Sequence, residues 1–303
     1  MYLSILLLKK LILLIAYMMC GYACFRIGLI NERRSRYLTY AFLYVVFPAV
    51  VINSFAVKKA GDDRALFLQS LFFAVIALAV SMAYCARKYG IARGVKNVGV
   101  AFSAAGTMGF PLVYSLFGQT GVFYSTCYAS ILTFLQWTYG VRVITGKREY
   151  MSFKTVLKNP LLFSLGIGLI IYFNSITVPT GVTTVLTGIG RFNGPLAMII
   201  LGGYMTEMNM GKIFSDRAIY RDTFRRLIFL PLITLPILFL IPGSKTVKII
   251  IMILSSAPVG SHDAIFANLY DKDYETAIKL VCVSTILSVA TMPVILWVAN
   301  QVL

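Results

Sequence analysis

The sequence predicts an all-α integral membrane protein with ten transmembrane helices in two inverted five-helix repeats, in which helices 4 and 9 are broken. Three observations predict this fold. Hydrophobic residues make up 59% of the 303 residues and charged residues only 13%, whereas a soluble domain carries about 25% charged residues. Apolar runs long enough to span a bilayer recur along the chain. Finally, two pairs of prolines are separated by the same interval.

Ten apolar runs, separated by short polar stretches, are the predicted spans. A run of about 20 residues crosses the hydrocarbon core as a helix. The predicted spans cover residues 3–24, 38–57, 65–86, 98–117, 121–141, 159–175, 189–207, 224–241, 246–270 and 276–298. The first run is interpreted as a span rather than a signal peptide, because no convincing small-residue cleavage site follows it and many more spans do.

Lysine and arginine residues alternate between the two sides of the predicted bundle. The formal net charge is +17, and twenty of the Lys and Arg residues fall in the odd-numbered loops but only five in the even-numbered loops. Cytoplasmic loops of membrane proteins carry such an excess. The sequence therefore predicts a multi-pass plasma-membrane protein with both termini on the outer side. The basic loops are expected to meet anionic membrane lipids rather than nucleic acid.

Two pairs of prolines indicate an internal repeat. Pro48 and Pro195 are 147 positions apart, and so are Pro111 and Pro258. The first pair joins span 2 to span 7, and the second joins span 4 to span 9. Because each half contains an odd number of spans, the second half must enter the membrane from the opposite side, as in many secondary transporters. The predicted first repeat, cytoplasmic linker and second repeat are residues 1–142, 143–158 and 159–303.

Spans 4 and 9 each contain glycine and proline residues that disfavour a continuous helix. Span 4 contains Gly106, Gly109 and Pro111, and span 9 contains Pro258 and Gly260. Proline removes a backbone donor and clashes with the carbonyl four residues earlier. Broken backbone in a bilayer survives only where it is buried in protein or lines a wet cavity. Since the N-terminus of a half-helix attracts anions, two facing breaks would form one anion site near the bilayer centre.

Polar side chains near the two breaks are candidate ligands for the anion and for a coupling ion. Asp263 is the one carboxylate clearly within a span, where an ionisable residue indicates function unless it only caps a helix. Because an isolated carboxylate is costly to ionise there, Asp263 is expected to carry a proton or to bind sodium. His262 titrates near neutral pH but can equally be a neutral hydrogen-bond partner. The remaining candidates are Gly106, Thr107, Gly109, Pro111, Thr133, Ser256, Pro258, Gly260 and Ser261.

Three other polar residues in or beside apolar runs have a structural interpretation. Gln136 and Asn193 need partners, and bonding between helices explains them at least as well as ligand contact does. Arg191, at the start of span 7, is interpreted as an interfacial anchor. The sequence predicts no cofactor and no metal other than the sodium that Asp263 would bind.

Other classes of membrane protein fit the sequence less well. A channel can use broken helices, but an inverted repeat with a charged residue at one break favours alternating access. An intramembrane enzyme would need a nucleophile with a base, or paired carboxylates. The breaks offer only His262 and Asp263, which point about 100° apart on a helix because they are adjacent. A receptor is a weaker alternative, because ten spans do not suit a seven-span layout.

The residues around both breaks resemble the bacterial branch of the auxin efflux carrier family. Span 4 has the pattern G-x-x-G-x-P followed by LFG, and spans 9 and 10 contain SAPVGSHDAIFANLYDKDYETA and VSTILSVATMPVIL. FPAVVINSF in span 2 and GPLAMIILGG in span 7 fit as well. The family often has asparagine at two positions that line its site, where this chain has Ala104 and Thr133.

This resemblance implies a mechanism and a substrate class. It implies that the broken helices 4 and 9 cross each other. It also implies a homodimer with a scaffold of spans 1, 2, 6 and 7, and a transport domain of spans 3–5 and 8–10 that moves in an elevator-type mechanism. The implied activity is secondary active transport of small organic anions, either an auxin-like monocarboxylate or a dicarboxylate such as malate or malonate. Uncoupled uniport, a channel, and sodium-coupled symport like that of the related bile acid symporters remain alternatives, and the coupling ion is a proton or sodium.

Overall fold

The computed structural model describes residues 2–56, 64–147, 160–206 and 216–303. This part of the chain is almost entirely helical. Its α-helices are α1 (Tyr2–Arg26), α2 (Glu32–Ala41), α3 (Phe47–Ala56), α4 (Arg64–Tyr89), α5 (Gly94–Ala101), α6 (Phe110–Leu135), α7 (Val141–Thr145), α8 (Pro160–Phe173), α9 (Thr180–Gly190), α10 (Asn193–Thr206), α11 (Arg217–Phe224), α12 (Leu230–Leu240), α13 (Lys245–Ser256), α14 (His262–Leu269) and α15 (Tyr274–Val302). Most of the predicted linker, from residue 148 onward, lies outside the described residues.

Within the described residues, five helical segments are long and apolar enough to cross a membrane. They are Tyr37–Ala56, Arg64–Tyr89, Thr180–Gly203, Arg217–Leu240 and Tyr274–Val302. Two shorter apolar helices are Ile12–Arg26 and Leu162–Phe173. The long segments overlap predicted spans 2, 3, 7, 8 and 10, and the short ones overlap spans 1 and 6. The all-helical membrane class is therefore confirmed, and predicted spans 4, 5 and 9 fall on helices that are interrupted or bent.

Short π-helical turns connect several of these helices in the described part of the chain. They lie at Phe42–Val46, Ala105–Gly109, Gln136–Gly140 and Arg225–Phe229. Such turns widen the helix locally and often mark functional regions. The turn at Ala105–Gly109 follows the first helix interruption, and the turn at Arg225–Phe229 carries the buried Arg226.

Helix α6 changes direction at Gly118. The backbone of this residue is non-helical, with φ 62° and ψ −155°, a conformation that glycine adopts without steric cost. The predicted boundary between spans 4 and 5, from residue 117 to residue 121, falls here.

Helix α9 lies between predicted spans 6 and 7, in a segment where no span is predicted. It begins after Pro179 and contains four threonines, so the segment has too little apolar character to be recognised as a span. The hydroxyls of Thr183 and Thr184 both donate to the carbonyl of Thr180, at 3.0 and 2.8 Å. These bonds satisfy the threonine hydroxyls locally. The helical segment that was predicted to begin at residue 189 therefore begins about two and a half turns earlier, at Thr180.

Two interruptions separate helices in the regions predicted to be broken. The first covers residues 102–104, after α5, and the second covers residues 257–261, between α13 and α14. Pro258 lies in the second interruption, as expected. Pro111 does not mark the first interruption, so that part of the prediction is wrong. Pro111 lies in the first turn of α6, directly after a π-helical turn, where a missing N–H and a fixed φ are well tolerated.

The most extensive contacts between helices are those of α1 with α10 and of α3 with α8 and α9, together with those among α4 to α7 and α11 to α15. Contacts of α1 with α6 and α15, and of α3 with α6, connect these sets of helices. Both helix interruptions lie in the set that contains α4 to α7 and α11 to α15.

Candidate functional site

The two helix interruptions pair with each other through their backbones. Ser103 and Val259 form an isolated antiparallel bridge. The amide of Ala104 donates to the carbonyl of Pro258 at 2.7 Å, and the amide of Gly260 donates to the carbonyl of Phe102 at 3.3 Å. We call these paired segments, residues 102–104 and 257–261, the junction. Each interruption thus satisfies backbone groups that the other leaves without helical partners.

Side chains from two neighbouring helices complete the junction. The hydroxyl of Ser284, on α15, accepts a bond from the amide of Val259 at 3.0 Å. On the other strand of the junction, the hydroxyls of Ser103 and Tyr128 lie 3.3 Å apart. All of these groups are buried, so hydrogen bonding replaces the water that a soluble loop would use.

Arg226 binds the carbonyl ends of both interrupted helices. At the end of α13, its Nη2 donates to the carbonyl of Ser255 at 2.6 Å and its Nε to that of Ala257 at 3.1 Å. At the end of α5, its Nη1 donates to the carbonyls of Val100 and Ala101 at 3.3 and 3.2 Å. The last carbonyls of a helix lack intrahelical partners and carry negative partial charge. One guanidinium therefore caps two helices at once.

This role of Arg226 is not predicted from the sequence, where the residue counts among the basic residues of the odd-numbered loops. Arg226 is only 1% exposed, and the described residues place no carboxylate within ion-pair distance of it. The segment TFRRLIFLPL surrounds it with apolar residues. An ionisable residue within an apolar run indicates function, and the same rule that selected Asp263 would have found it.

A small cavity of about 40 Å³ lies beside the junction. We call it the junction cavity. Four predicted residues line it, namely Ala104, Thr107, Ser261 and His262, together with Thr285. Its opposite wall consists of apolar side chains from the turn after α2 and from α10. One water molecule needs a cavity of about 10–15 Å³. The junction cavity therefore accommodates a few water molecules but no organic anion in this conformation.

A larger cavity of about 240 Å³ lies between α1, α3, α6, α9 and α10. We call it the Arg191 cavity, because Arg191 lines it rather than serving only as an interfacial anchor. Its lining also includes Asn53, Gln119 and Asn193. The buried side-chain oxygens of these three residues have no hydrogen-bond partner in the described part of the chain. The amide group of Asn53 donates to the hydroxyl of Thr187 at 3.0 Å. The cavity thus combines one cation with several free acceptors.

The ring of Phe47 lies between the two cavities. Its centroid is 5.7 Å from that of Phe42, which lines the junction cavity, and 5.7 Å from that of Phe110, which lines the Arg191 cavity. Gly106 packs directly on the Phe47 ring, where any Cβ atom would overlap it. The absence of a side chain at Gly106 therefore allows the aromatic ring to separate the cavities.

The remaining predicted residues lie outside the junction cavity. Gly109 packs against the side chain of Leu254, and Pro111 lines the Arg191 cavity. Thr133 is buried on α6 but belongs to the lining of neither cavity. The hydroxyl of Ser256 turns back to its own helix and donates to the carbonyl of Ile253 at 3.1 Å. The structure therefore brings together about half of the predicted set.

Asp263 is buried beside the junction but faces away from its cavity. The side chain is 2% exposed, and neither carboxylate oxygen has a hydrogen-bond partner among the described residues. A Cβ atom on Gly99 would lie 2.5 Å from its Oδ2, so the carboxylate points toward α5. It does not cap α14, whose N-cap residue Ser261 also forms no side-chain cap. His262 lines the cavity instead.

Within the described residues, the structure contains no group of three His, Cys, Asp or Glu side chains that would hold a metal ion. Asp263 is therefore considered alone as a cation site. A buried carboxylate without a partner is unfavourable when it is charged. The geometry thus requires that Asp263 be neutral or that a cation lie beside it.

Proteins of related sequence are transporters. The family model described as membrane transport protein matches residues 6–296. A protein of Methanothermobacter thermautotrophicus described as an uncharacterized transporter is 24% identical over 286 residues, which cover 91% of this chain and 92% of that protein. The match to the family model spans nearly the whole chain, including both helix interruptions. The chain therefore belongs to the membrane transport protein family, that is, the auxin efflux carrier family.

Proposed function

We propose that the protein is a secondary active transporter of small organic anions, which it binds at the junction and moves by elevator-type alternating access. One observation carries the anion specificity. The two helical segments that follow the interruptions both begin at the junction, and neither has a side-chain cap on its first N–H groups. Free N–H groups and the positive end of a helix dipole bind anions. Two helix N-termini at one cavity therefore favour the binding of a carboxylate in that cavity.

The residues around the junction cavity fit a small carboxylate. Thr107 and Ser261 offer hydroxyl donors, and His262 offers a ring N–H. The hydroxyl of Thr285, which also lines the cavity, donates to the carbonyl of Val281 at 2.7 Å. The apolar side chains opposite them would hold the carbon skeleton. An auxin-like monocarboxylate and a dicarboxylate such as malate or malonate both match this chemistry. The Ala104 side chain, where the family often has asparagine, offers no hydrogen bond to the substrate.

The walls of the junction cavity support a mechanism in which one set of helices moves relative to another. The wall opposite the junction comes from the region of α2 and from α10, which correspond to predicted spans 2 and 7. A substrate would need this wall to separate from the junction, because about 40 Å³ is too small for it. We propose that spans 1, 2, 6 and 7 form the scaffold of a homodimer. Spans 3–5 and 8–10, which carry the junction, would then move past it.

The topology proposed for this mechanism is an inverted repeat, with residues 1–142 and 159–303 as its halves. The equal spacing of Pro48 from Pro195 and of Pro111 from Pro258 first suggested it. The pairing of residues 102–104 with residues 257–261 favours the same relation between spans 4 and 9. The distribution of Lys and Arg favours outer termini in the plasma membrane.

Asp263 is proposed as the group that couples transport to an ion. Its burial without a partner leaves two states that avoid an isolated charge, a protonated acid or a carboxylate with bound sodium. Both states are compatible with its position one residue from His262, which lines the junction cavity, while the carboxylate itself points toward α5. An uncoupled uniporter is the alternative if neither ion matters. Sodium-coupled symport, as in bile acid symporters, is the alternative if sodium alone matters.

The test is uptake of radiolabelled carboxylates into proteoliposomes, after a thermal-shift screen has selected ligands that stabilise the purified protein. We expect saturable uptake and counterflow, in which unlabelled anion inside the vesicles accelerates entry of labelled anion. The double variant Thr107→Val/Ser261→Ala should weaken binding of the same anion by about tenfold, since two donors are lost. Flux that rises linearly with concentration and shows no counterflow would identify a channel and exclude the proposal.

A further inference from the structure

A third cavity, which is strongly basic, lies away from the junction. It has a volume of about 620 Å³ and is formed where the start of α5, the end of α7, the middle of α11 and the start of α15 meet. We call it the basic cavity. Its charged lining residues are Arg93, Lys96, Arg221, Lys272 and Asp273. Four cations therefore face one carboxylate.

Glycines shape the basic cavity by allowing close contact between helix ends. A Cβ atom on Gly94 would overlap the carbonyl oxygen of Val143 and lie 2.9 Å from the Cα of Ile144. The first residue of α5 therefore packs directly on the backbone of α7. Gly146, which ends α7 with φ 74°, also lines the cavity. The cavity is thus bounded by packed backbone rather than by exposed side chains alone.

The positive charge in the basic cavity is only partly compensated. Asp273 caps α15, because its Oδ1 accepts a bond from the amide of Thr276 at 3.0 Å. Lys96 pairs with Asp222, which lies behind the cavity wall, at 3.7 Å. Among the described residues, Arg93, Arg221 and Lys272 form no ion pair. Three cations thus remain available to an anion in the cavity.

Backbone donors at the start of α5 add to these cations. Its N-cap residue, Arg93, makes no side-chain cap, and the first-turn residues Gly94, Val95 and Lys96 line the cavity. First-turn N–H groups have no partner within the helix and favour negative charge. The combination of several arginine and lysine side chains with such N–H groups is typical of phosphate recognition.

We propose that the basic cavity binds a phosphate-bearing anion. A phosphate group carries up to two charges and several acceptor oxygens, which suits three uncompensated cations and a helix N-terminus better than one carboxylate does. Two sources share this chemistry, the headgroup of an anionic phospholipid and a soluble phosphate compound. The distribution of Lys and Arg predicts a cytoplasmic position for this end of the bundle, where anionic lipids are concentrated.

The basic cavity is connected to the junction by one short helix. Helix α5 begins at the cavity with Gly94 and ends at the junction with Ala101, a distance of about 12 Å at 1.5 Å per residue. An anion bound at the start of α5 would therefore restrain the helix whose carbonyl end Arg226 holds. This connection gives the proposed ligand a route to influence transport, although its binding does not depend on any substrate at the junction.

The test compares two double variants with equal loss of charge. Arg93→Gln/Lys272→Gln removes two cations from the basic cavity, and the control Arg87→Gln/Lys88→Gln removes two exposed cations at the end of α4 that do not line it. One arm measures Tm in detergent with inorganic phosphate or with chloride at equal ionic strength. The other arm measures Tm in nanodiscs of phosphatidylcholine with or without phosphatidylglycerol.

We expect the Tm of the native protein and of the control variant to rise by about 2 °C or more in at least one arm, and the Tm of the cavity variant to stay unchanged. A gain with inorganic phosphate identifies a soluble ligand, and a gain with phosphatidylglycerol alone identifies a lipid headgroup. The proposal is overturned if the native protein gains nothing in either arm, or if the cavity variant and the control respond equally.

Discussion

The two helix interruptions reach a common geometry from different sequences. The first, at residues 102–104, reads Phe-Ser-Ala and contains neither glycine nor proline, whereas the second, at residues 257–261, reads Ala-Pro-Val-Gly-Ser. Each interruption follows an α-helix, and the carbonyls at the ends of both helices accept hydrogen bonds from Arg226. The comparison teaches that a break within a buried helix needs partners for its freed backbone groups more than it needs a proline.

The second interruption also has a local cause that the first lacks, because Pro258 cannot donate a backbone bond. The next amide, that of Val259, donates to the hydroxyl of Ser284 on α15 at 3.0 Å. In the first interruption, the amide of Phe102 still bonds helically to the carbonyl of Val98 at 3.0 Å. The first interruption is thus imposed mainly by tertiary packing, and the following substitutions test this difference.

The largest effect is expected from Arg226→Met. This change removes the donors for four buried carbonyls, so we expect it to destabilise the protein by more than about 3 kcal/mol or to prevent folding. Arg226→Lys keeps the charge but has fewer donors, so its loss of stability should lie between zero and that of Arg226→Met. Thermal denaturation in detergent measures the effect, with the exposed Arg217→Met as control. Equal stability of the Arg226→Met and Arg217→Met proteins would refute the role assigned to Arg226.

Asp263→Asn tests the first turn of the helix that follows the second interruption. We expect a folded protein that still binds substrate but loses at least about tenfold of its gradient-driven uptake, because the neutral amide carries no exchangeable charge. Uptake into proteoliposomes with imposed pH or sodium gradients measures the effect and identifies the ion. If native transport ignores both gradients, or if the variant responds as the native protein does, Asp263 has no coupling role.

A pair of proline substitutions compares the two regions directly. Pro258→Ala should lower uptake several-fold, because a regular helix at residue 258 would compete with the pairing to Ala104. Pro111→Ala should change uptake by less than about twofold, since Pro111 lies within the first turn of α6. Initial rates of uptake, normalised to folded protein by size-exclusion chromatography, provide the measurement. A larger loss for Pro111→Ala than for Pro258→Ala would contradict the position assigned to the first interruption.

The smallest effect is expected from Gly260→Ala. The new Cβ atom would lie 3.2 Å from the carbonyl oxygen of Ser103, so the paired segments must separate by a few tenths of an ångström. We expect a loss of stability of about 1 kcal/mol and a small decrease in substrate affinity. Gly188→Ala is the matched control, because nothing lies within 4 Å of a Cβ atom there. A control that loses as much as Gly260→Ala would indicate a general intolerance of alanine.

Apolar periodicity and loop composition could predict the membrane class and most helix positions. The bend at Gly118 and the interruption at Pro258 were also visible in the sequence, because glycine and proline change the backbone directly. The first interruption was not, since Phe-Ser-Ala has no local reason to leave a helix. Its position depends on pairing with residues 257–261, which are distant in the chain.

Prediction of the candidate site was limited in the same way. Thr107, Ser261 and His262 were selected because they are polar and close in sequence to a glycine or proline, and Ala104 was selected through the family resemblance. The rule for ionisable residues in apolar runs could also have selected Arg226, but the sequence does not show that this residue contacts two helix ends. The direction of the Asp263 side chain was also inaccessible, because it depends on the space beside Gly99.

The guanidinium of Arg226 also has a consequence for the electrical behaviour of transport. If the junction moves as proposed, this permanent cation travels with it through the membrane potential. With Asp263 neutral, a bound monoanion offsets the charge of Arg226 at the junction, whereas in the empty carrier this charge is not offset. Moving one charge through 100 mV changes the free energy by about 2.3 kcal/mol. The charge of Arg226 would then make the return of the empty carrier depend on voltage, and a dianion would make the loaded step depend on voltage as well.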